Sequence, residues 1–328
     1  MDRQTVDLVT RGLVEVIRRE ELDSIEAGKA RAYIGFEPSG IPHLGTGLLW
    51  PGKIRDLVDA GINTTVLLAD WHAMVNDKLG GDMERIHRSG DVLKRVIERR
   101  AGEGRVHFVW ASDLARDDNY WSLLLSVAKR SSLSRIRRAL PIMGRSEEEA
   151  DRDFSKYIYP LMQVTDIFYM DLDIAMGGMD QRHAHMLARD IAEKMGRKKP
   201  ISLHGPLLSS LTGSGRMDQF KKMSKSDPES AIFLSDSEEA IRRKISRAYC
   251  PQGTVQGNPV TDIARYIILP QAPLRVKTGN GEVEFKRFED LERSYVQGQI
   301  DPRSLKEAVA EALEGQVSRY RDLVPESL

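Results

Sequence analysis

Apolar residues recur at helical spacing through residues 2–20 (Val6, Val9, Leu13, Ile17), which predicts an opening helix. "RAYIGFEPSG" then gives a short strand from Ala32 to Phe36, stopped by Pro38 and Gly40. A helical stretch follows from Leu44 to Ala60, with Pro51 tolerable only near its start or at a kink. The β-branched, apolar run "NTTVLLAD" (63–70) reads as a buried strand, residues 82–101 as a charged amphipathic helix, and "RVHFVWAS" (105–112) as another strand. Helical periodicity covers 119–143 and roughly 152–170. "LDIAMGG" adds a short strand and a Gly-Gly turn before a further helix, and "ISLHGPLLSS" a last strand. Strands alternating with helices in this way predict an α/β fold, a doubly wound parallel sheet of Rossmann-like kind covered on both faces.

Beyond Ser235 helical patterns dominate around a hairpin-like piece, "LRVKTGNGEVEF". The change of character predicts a catalytic-type domain over 1–230, with a helical connective insertion at about 112–150, and a smaller, mainly α-helical C-terminal domain over 231–328. Composition adds little to this. The 49 basic residues balance the 49 acidic ones across 328 residues, so only a local cluster argues for a nucleic-acid partner. Cys250, alone of its type, excludes an intramolecular disulfide and a cysteine-rich metal site. The first twenty residues mix both charge signs without a long apolar run, unlike a signal peptide. No stretch approaches the roughly 20 apolar residues of a membrane span. The expectation is a cytoplasmic protein.

Two stretches carry candidate chemistry. "IPHLGTGLLW", from Ile41, packs a histidine and glycines just after a predicted strand, where ligands of doubly wound sheets bind and glycine lets backbone approach phosphate. "KKMSKSDPES", from Lys221, offers Lys222 and Lys225 as cations among serine hydroxyls. A triphosphate split at its α-phosphorus needs positive charge on the departing pyrophosphate as well as alignment.

With these residues on the page the chain resembles a known family. "PHLGT" looks like the HIGH signature, and "KMSKS" (222–226) is the second signature, of class I aminoacyl-tRNA synthetases. Together with "AYIGFEPSG", "VLLADWHAMVN" (66–76), "YIYPLMQVTDIFYMDLDIAMGGMDQRHAHMLAR" (157–189) and "RAYCPQGTVQGNP" (247–259), they make the chain similar to archaeal-type tyrosyl-tRNA synthetases over nearly its whole length, more loosely beyond about residue 260. One departure is Thr46 where the first signature ends in histidine.

The resemblance implies a tyrosine–tRNA ligase and assigns its site. Tyr33 and Asp166 match the phenol-binding positions, and Tyr159, Gln163 and Gln181 those holding the α-amino group. Gly35, His43 and Gly45 match positions cradling ATP, Asp180 the ribose contact, and Lys222, Met223, Ser224, Lys225 and Ser226 the phosphate loop. His43, Lys222 and Lys225 would stabilise charge in the reaction. Asp70 and His72 fall in the matching pocket wall. Spacing supports the pocket independently: Tyr159, Gln163 and Asp166 fall at i, i+4 and i+7, along one helical face. A Gln and an Asp in a mere core stripe would be buried without partners, at some cost. The implied mechanism needs no general base. The tyrosine carboxylate attacks the α-phosphate of ATP, releasing pyrophosphate, and the tRNA 3′-terminal ribose then takes the tyrosyl group. With no carboxylate cage evident, Mg²⁺ would ride on the phosphates.

On the RNA side, the basic run "KRSSLSRIRRAL" (129–140) is the candidate contact for an acceptor stem. By resemblance Arg138 falls where the first base pair is read, and the surrounding insertion forms a homodimer interface. In the anticodon-binding domain, Ser304 occupies the family's base-reading aspartate position, with Asp301 three residues earlier. The expected stacking aromatic is absent unless Phe285 substitutes. Either Asp301 takes the role or anticodon recognition is weakened, and the acceptor stem is expected to dominate. A tryptophanyl-tRNA synthetase would share fold and signatures but has no reason to pair Tyr33 with Asp166. A catalytically inactive, synthetase-like RNA-binding protein is the other alternative, against which the intact 222–226 loop argues.

Overall fold

Gly12 ends the first helix early. In the computed structural model, which describes residues 1–140, 147–213, 223, 227–279 and 281–325, that helix runs only Arg3–Thr10, capped by the Asp2 carboxylate on Thr5 N at 2.8 Å. At φ 69 Gly12 turns the chain out of the helix. The β-branched pair Val16 and Ile17 then enters strand β1 (Glu15–Ile17) instead of continuing the helix expected to residue 20.

The remaining strands of the sheet are β2 (Arg31–Phe36), β3 (Asn63–Leu68), β4 (His107–Trp110), β5 (Ile174–Gly178) and β6 (Ile201–Gly205). They lie in the order β1-β6-β5-β2-β3-β4. Every pair is parallel except β1 with β6, so the parallel sheet carries one antiparallel edge that periodicity did not foresee. From β2 the chain winds outward through β3 and β4, then returns to β5 on the other side of β2 and winds out to β6. The switch point therefore lies between β2 and β5, and the crevice beyond their carboxyl ends is where such a sheet takes a ligand. β5 and β6 are buried at every residue, as a strand covered on both faces must be.

Local chemistry sets the other elements and some departures from expectation. Asp82 caps the helix Met83–Ala101 through Glu84 N and Arg85 N (3.0 and 3.2 Å), and Gly102 at φ 104 ends it. The expected helix over 119–143 is two, Asp118–Lys129 and Leu133–Ala139, because Ser132 leaves the helical region and caps the second. Gly177 and Gly178 lie inside β5 rather than in a turn; the turn is the short 3₁₀ segment Met179–Gln181. A Cβ on Gly177 would sit 2.9 Å from Gln181 Cγ, so the strand needs glycine there for that side chain to lie across it. The stretch from Leu44 begins as a π-turn, Gly45–Leu49, and becomes α-helical at Trp50–Asp59, which places Pro51 in the first α-turn, where its missing N–H is tolerated.

Contacts divide the chain into two compact units, Met1–Gly40 with Lys53–Pro206, and Ile41–Gly52 with Leu207–Leu328. By contacts, 207–230 groups with the second unit. The reason is local pairing inside the second unit: Leu44 N donates to Ile232 O (3.0 Å) and Leu234 N to Pro42 O (2.9 Å), tying 41–52 to the segment after 207. A Cβ on Gly47 would meet Leu234 Cδ1 at 2.6 Å, so glycine permits this approach.

Elsewhere in the second unit, the hairpin β7 (Leu274–Thr278) and β8 (Gly281–Phe285) forms as expected. The helix Pro302–Val317 buries Leu305, Val309, Leu313 and Val317. Among the described residues no helix is long and apolar enough to cross a membrane.

Candidate active site

The first unit gathers the five residues expected to hold an amino acid. Tyr33 lies on β2 and Gln181 follows β5, flanking the switch point; Tyr159, Gln163 and Asp166 come from the single helix Ser155–Tyr169. Asp166 is fully buried. Its Oδ1 accepts a hydrogen bond from the Tyr120 hydroxyl at 2.8 Å. Its Oδ2 lies 3.1 Å from His72 Nε2, within ion-pair range but off the line of a hydrogen bond, and has no other protein partner among the described residues. Burial alone would push the His72 imidazole down. The charge of Asp166, with Glu37 and Asp70 behind it, outweighs that and raises its pKa. Burial, and then the Asp166 charge, push the Tyr33 and Tyr120 phenols up, so both remain O–H donors.

The other end of the pocket is organised by Glu37, a residue that sequence reasoning did not single out. Its Oε1 accepts from the Tyr159 hydroxyl at 2.6 Å, and Asn76 Nδ2 donates to both of its oxygens at 3.0 and 3.2 Å. Gln163 Nε2 donates to Gln181 Oε1 at 3.1 Å, while Gln163 Oε1 is buried with no hydrogen-bond partner among the described residues. Gln181 in turn lies 3.4 Å from Asp180 Oδ1. Gly35 is exposed at the β2 end, and a Cβ there would make only ordinary contacts, 3.6 Å to Tyr33 Cε2 and 4.0 Å to Leu67 Cδ2. Asp166 and Glu37 each bring a carboxylate to the pocket with a basic neighbour beside it, His72 at 3.1 Å and Lys78 at 3.4 Å, an arrangement that suits a ligand with an ammonium group and a hydroxyl. Asp70 itself is structural: its oxygens accept from Trp71 N, Ser112 N and pair with His87 Nε2, all at 2.9 Å.

Of the remaining expected residues, His43 and Gly45 lie in the second unit. Gly45 N donates to His43 Nδ1 at 3.0 Å, which puts the ring proton of the neutral imidazole on Nε2 and makes that atom a donor. Thr46 Oγ1 turns back to His43 O at 3.4 Å. Met223 is buried and its N–H donates to Leu208 O at 3.0 Å. Lys222, Ser224, Lys225 and Ser226 lie outside the described residues. Arg138 is exposed in the last turn of Leu133–Ala139.

Asp301 caps Pro302–Val317: its Oδ1 accepts from Arg303 N and Ser304 N (2.9 and 3.0 Å) and its Oδ2 from Ser304 Oγ (2.7 Å). Phe285 is 5% exposed and faces the core of its unit, which removes it as a stacking aromatic. Tyr120 had no local signal in "DNYWS". Glu37 had one, a carboxylate immediately after a parallel strand.

A family model described as tRNA synthetases class I (W and Y) matches residues 26–317. The chain belongs to this family. Within the class I synthetases, the tyrosine–tRNA ligase of Picrophilus torridus is 59% identical over 313 residues, 94% of this chain and 95% of that one. The crystal structure of tyrosyl-tRNA synthetase from Aeropyrum pernix superposes with a TM-score of 0.89 at 50% identity, covering 98% of this chain and 94% of that one. That of the Archaeoglobus fulgidus tyrosyl-tRNA synthetase complexed with L-tyrosine gives 0.89 at 38% identity, covering 98% and 99%.

Proposed function

We propose that the chain activates L-tyrosine with ATP to tyrosyl-adenylate and pyrophosphate, then transfers the tyrosyl group to the 3′ end of tRNA(Tyr). It is a class I tyrosine–tRNA ligase. The observation that carries the amino-acid choice is a pair of buried acceptors, Asp166 Oδ2 and Gln163 Oε1, that receive no hydrogen bond among the described residues, the first with only the His72 ring beside it at 3.1 Å. Leaving such atoms without partners costs about 1–3 kcal/mol each. A phenol O–H satisfies the first and an ammonium N–H the second. Glu37, through the Tyr159 hydroxyl, supplies the negative charge that the ammonium needs.

In the first step the tyrosine carboxylate oxygen bonds to the α-phosphorus as the bond to pyrophosphate breaks. The ribose hydroxyl of the tRNA terminus then attacks the acyl carbonyl, and AMP leaves. His43, donating from Nε2, and the lysines Lys222 and Lys225 are assigned to the phosphate charge, with Gly35, Gly45, Asp180, Met223, Ser224 and Ser226 around the nucleotide. The described residues include no group of three or more His, Cys, Asp or Glu side chains arranged to hold a metal. A Mg²⁺ ion is assigned to the ATP phosphates. Arg138 is assigned to the acceptor stem, and the 231–328 region to the anticodon arm, with Asp301 at its recognition edge. The exposed Trp121, Leu125 and Leu133 of the insertion suit a homodimer interface. A cytoplasmic location fits this role.

The test is amino-acid-dependent ATP–pyrophosphate exchange with tyrosine, phenylalanine and tryptophan offered separately, repeated with Asp166→Ala. Exchange with tyrosine alone, lost or made unspecific by the substitution, is the expected result. Exchange with tryptophan, or with none of the three, would overturn the reading.

A further inference from the structure

Three segments far apart in sequence converge on one buried carboxylate. Asp166 comes from Ser155–Tyr169, Tyr120 from Asp118–Lys129, and His72 from the short helix Asp70–Val75. A carboxylate offers about four lone-pair sites, and which remain for a ligand depends on how the group is turned. The Tyr120 hydroxyl fixes Oδ1 at 2.8 Å, and the Tyr120 ring is itself 1% exposed and set edge-on to Tyr169 at 5.6 Å. His72 stands 3.1 Å from Oδ2, its ring held at 90° against Tyr159 at 4.9 Å. Without a donor on Oδ1 and a positive neighbour at Oδ2, a fully buried Asp166 would be free to turn, and would cease to be the oriented acceptor that tells a phenol from a phenyl group.

We propose that Tyr120 and His72 are positioning residues that set amino-acid specificity by holding the Asp166 carboxylate turned toward the substrate hydroxyl. The inference rests on the proposed tyrosine-activating function. It assigns discrimination to two side chains beyond the residues that bind tyrosine. The other charged groups facing His72, Glu37 and Asp70, also favour its cationic form.

The test measures kcat and KM for tyrosine and phenylalanine in pyrophosphate exchange, using the full chain and its Tyr120→Phe, His72→Leu and His72→Gln variants. Failure of the unsubstituted chain to exchange with tyrosine refutes the proposed function itself, and this inference with it. Given wild-type exchange, Tyr120→Phe and His72→Leu are each expected to lower the tyrosine-to-phenylalanine ratio of kcat/KM by about tenfold to a hundredfold, the range for losing a hydrogen bond or a charged neighbour at a buried carboxylate. The loss should fall mainly on KM for tyrosine, with phenylalanine little affected. His72→Gln, which keeps an N–H donor beside Oδ2 but not the charge, should recover part of what His72→Leu loses. A structural role alone would lower both substrates together. Equal losses, an unchanged ratio, or identical behaviour of the Leu and Gln variants would each overturn the proposal. Should Tyr120→Phe fail to fold, the two His72 variants decide the matter.

Discussion

Gly45→Ala tests whether His43 acts through a fixed Nε2–H. The amide of Gly45 donates to His43 Nδ1 at 3.0 Å, which fixes both the tautomer and the ring plane. A Cβ at position 45 would stand 2.7 Å from His43 Cε1 and 3.2 Å from Nδ1. The first distance is closer than real Cβ contacts come, so the imidazole must swing away. The backbone at Gly45 has no positive φ, so the glycine is required by the ring and not by its own conformation. If Nε2–H stabilises charge on the α-phosphate as the bond to pyrophosphate breaks, displacing it should lower kcat of exchange by about 10²–10³, the usual effect of losing one preorganised donor.

Overpacking should also remove about 1–3 kcal/mol of stability, so the assay is run well below the variant's melting temperature. Tyrosine binding, measured by equilibrium dialysis without ATP, should stay within about twofold of wild type, because Tyr33, Tyr159, Gln163, Asp166 and Gln181 all belong to the other unit. A variant that keeps kcat within about threefold would refute the role of the fixed ring. So would one that loses tyrosine binding and kcat in parallel.

Two further outcomes follow from single residues. Arg138→Ala should reduce aminoacylation kcat/KM by about 1–3 kcal/mol in activation free energy while leaving tRNA-independent exchange intact, and equal effects on both assays would remove Arg138 from the RNA interface. The buried pair His185 and His204, 3.0 Å apart, makes stability depend on pH: burial, and then the neighbouring His204, push His185 down to about 3 from 6.5. An unfolded histidine takes up a proton below about pH 6.5 that the folded one refuses, so stability is complete above that pH and declines as pH falls toward 3. The His185 contribution to that decline reaches about 2 kcal/mol by pH 5. Denaturant titrations of wild type and His185→Gln at pH 7 and pH 5 measure it, and parallel losses in both proteins would show that this pair is not responsible.

Much of the fold was readable in the chain because its signals are local. Strand–helix alternation gave the doubly wound sheet, the Pro38 and Gly40 stop gave β2, and a β-branched run gave β3, each nearly to the residue. The elements that escaped are those whose conformation is decided by a partner. β1 has three residues, and its pairing with β6 begins at a hydrogen bond from Val14 N to His204 O, nearly two hundred positions away. Helical spacing of Leu13 and Ile17 was a coincidence that a left-handed Gly12 annuls. The grouping of 41–52 with the chain after Leu207 escaped for a similar reason, since nothing in "IPHLGTGLLW" announces it.

The site shows the same division, and it shows what separates a ligand-facing polar group from a structural one. Asp70 and Asp166 are both completely buried carboxylates in the first unit, and burial does not distinguish them. Hydrogen bonding does. Asp70 is satisfied on both oxygens by Trp71 N, Ser112 N and His87, so a ligand there would have to displace the protein's own donors. Asp166 accepts a hydrogen bond on Oδ1 alone, while Oδ2 has the His72 ring beside it at 3.1 Å but off the line of a hydrogen bond. A buried oxygen with a charged neighbour and no hydrogen-bond donor is incompletely satisfied, and a ligand hydroxyl can supply the donor. The spacing of Tyr159, Gln163 and Asp166 located the stripe. The partner that completes it on the protein side, Tyr120, belongs to a helix some forty residues earlier, so it emerges only once the chain has folded and each buried oxygen has been given its donor or found to lack one.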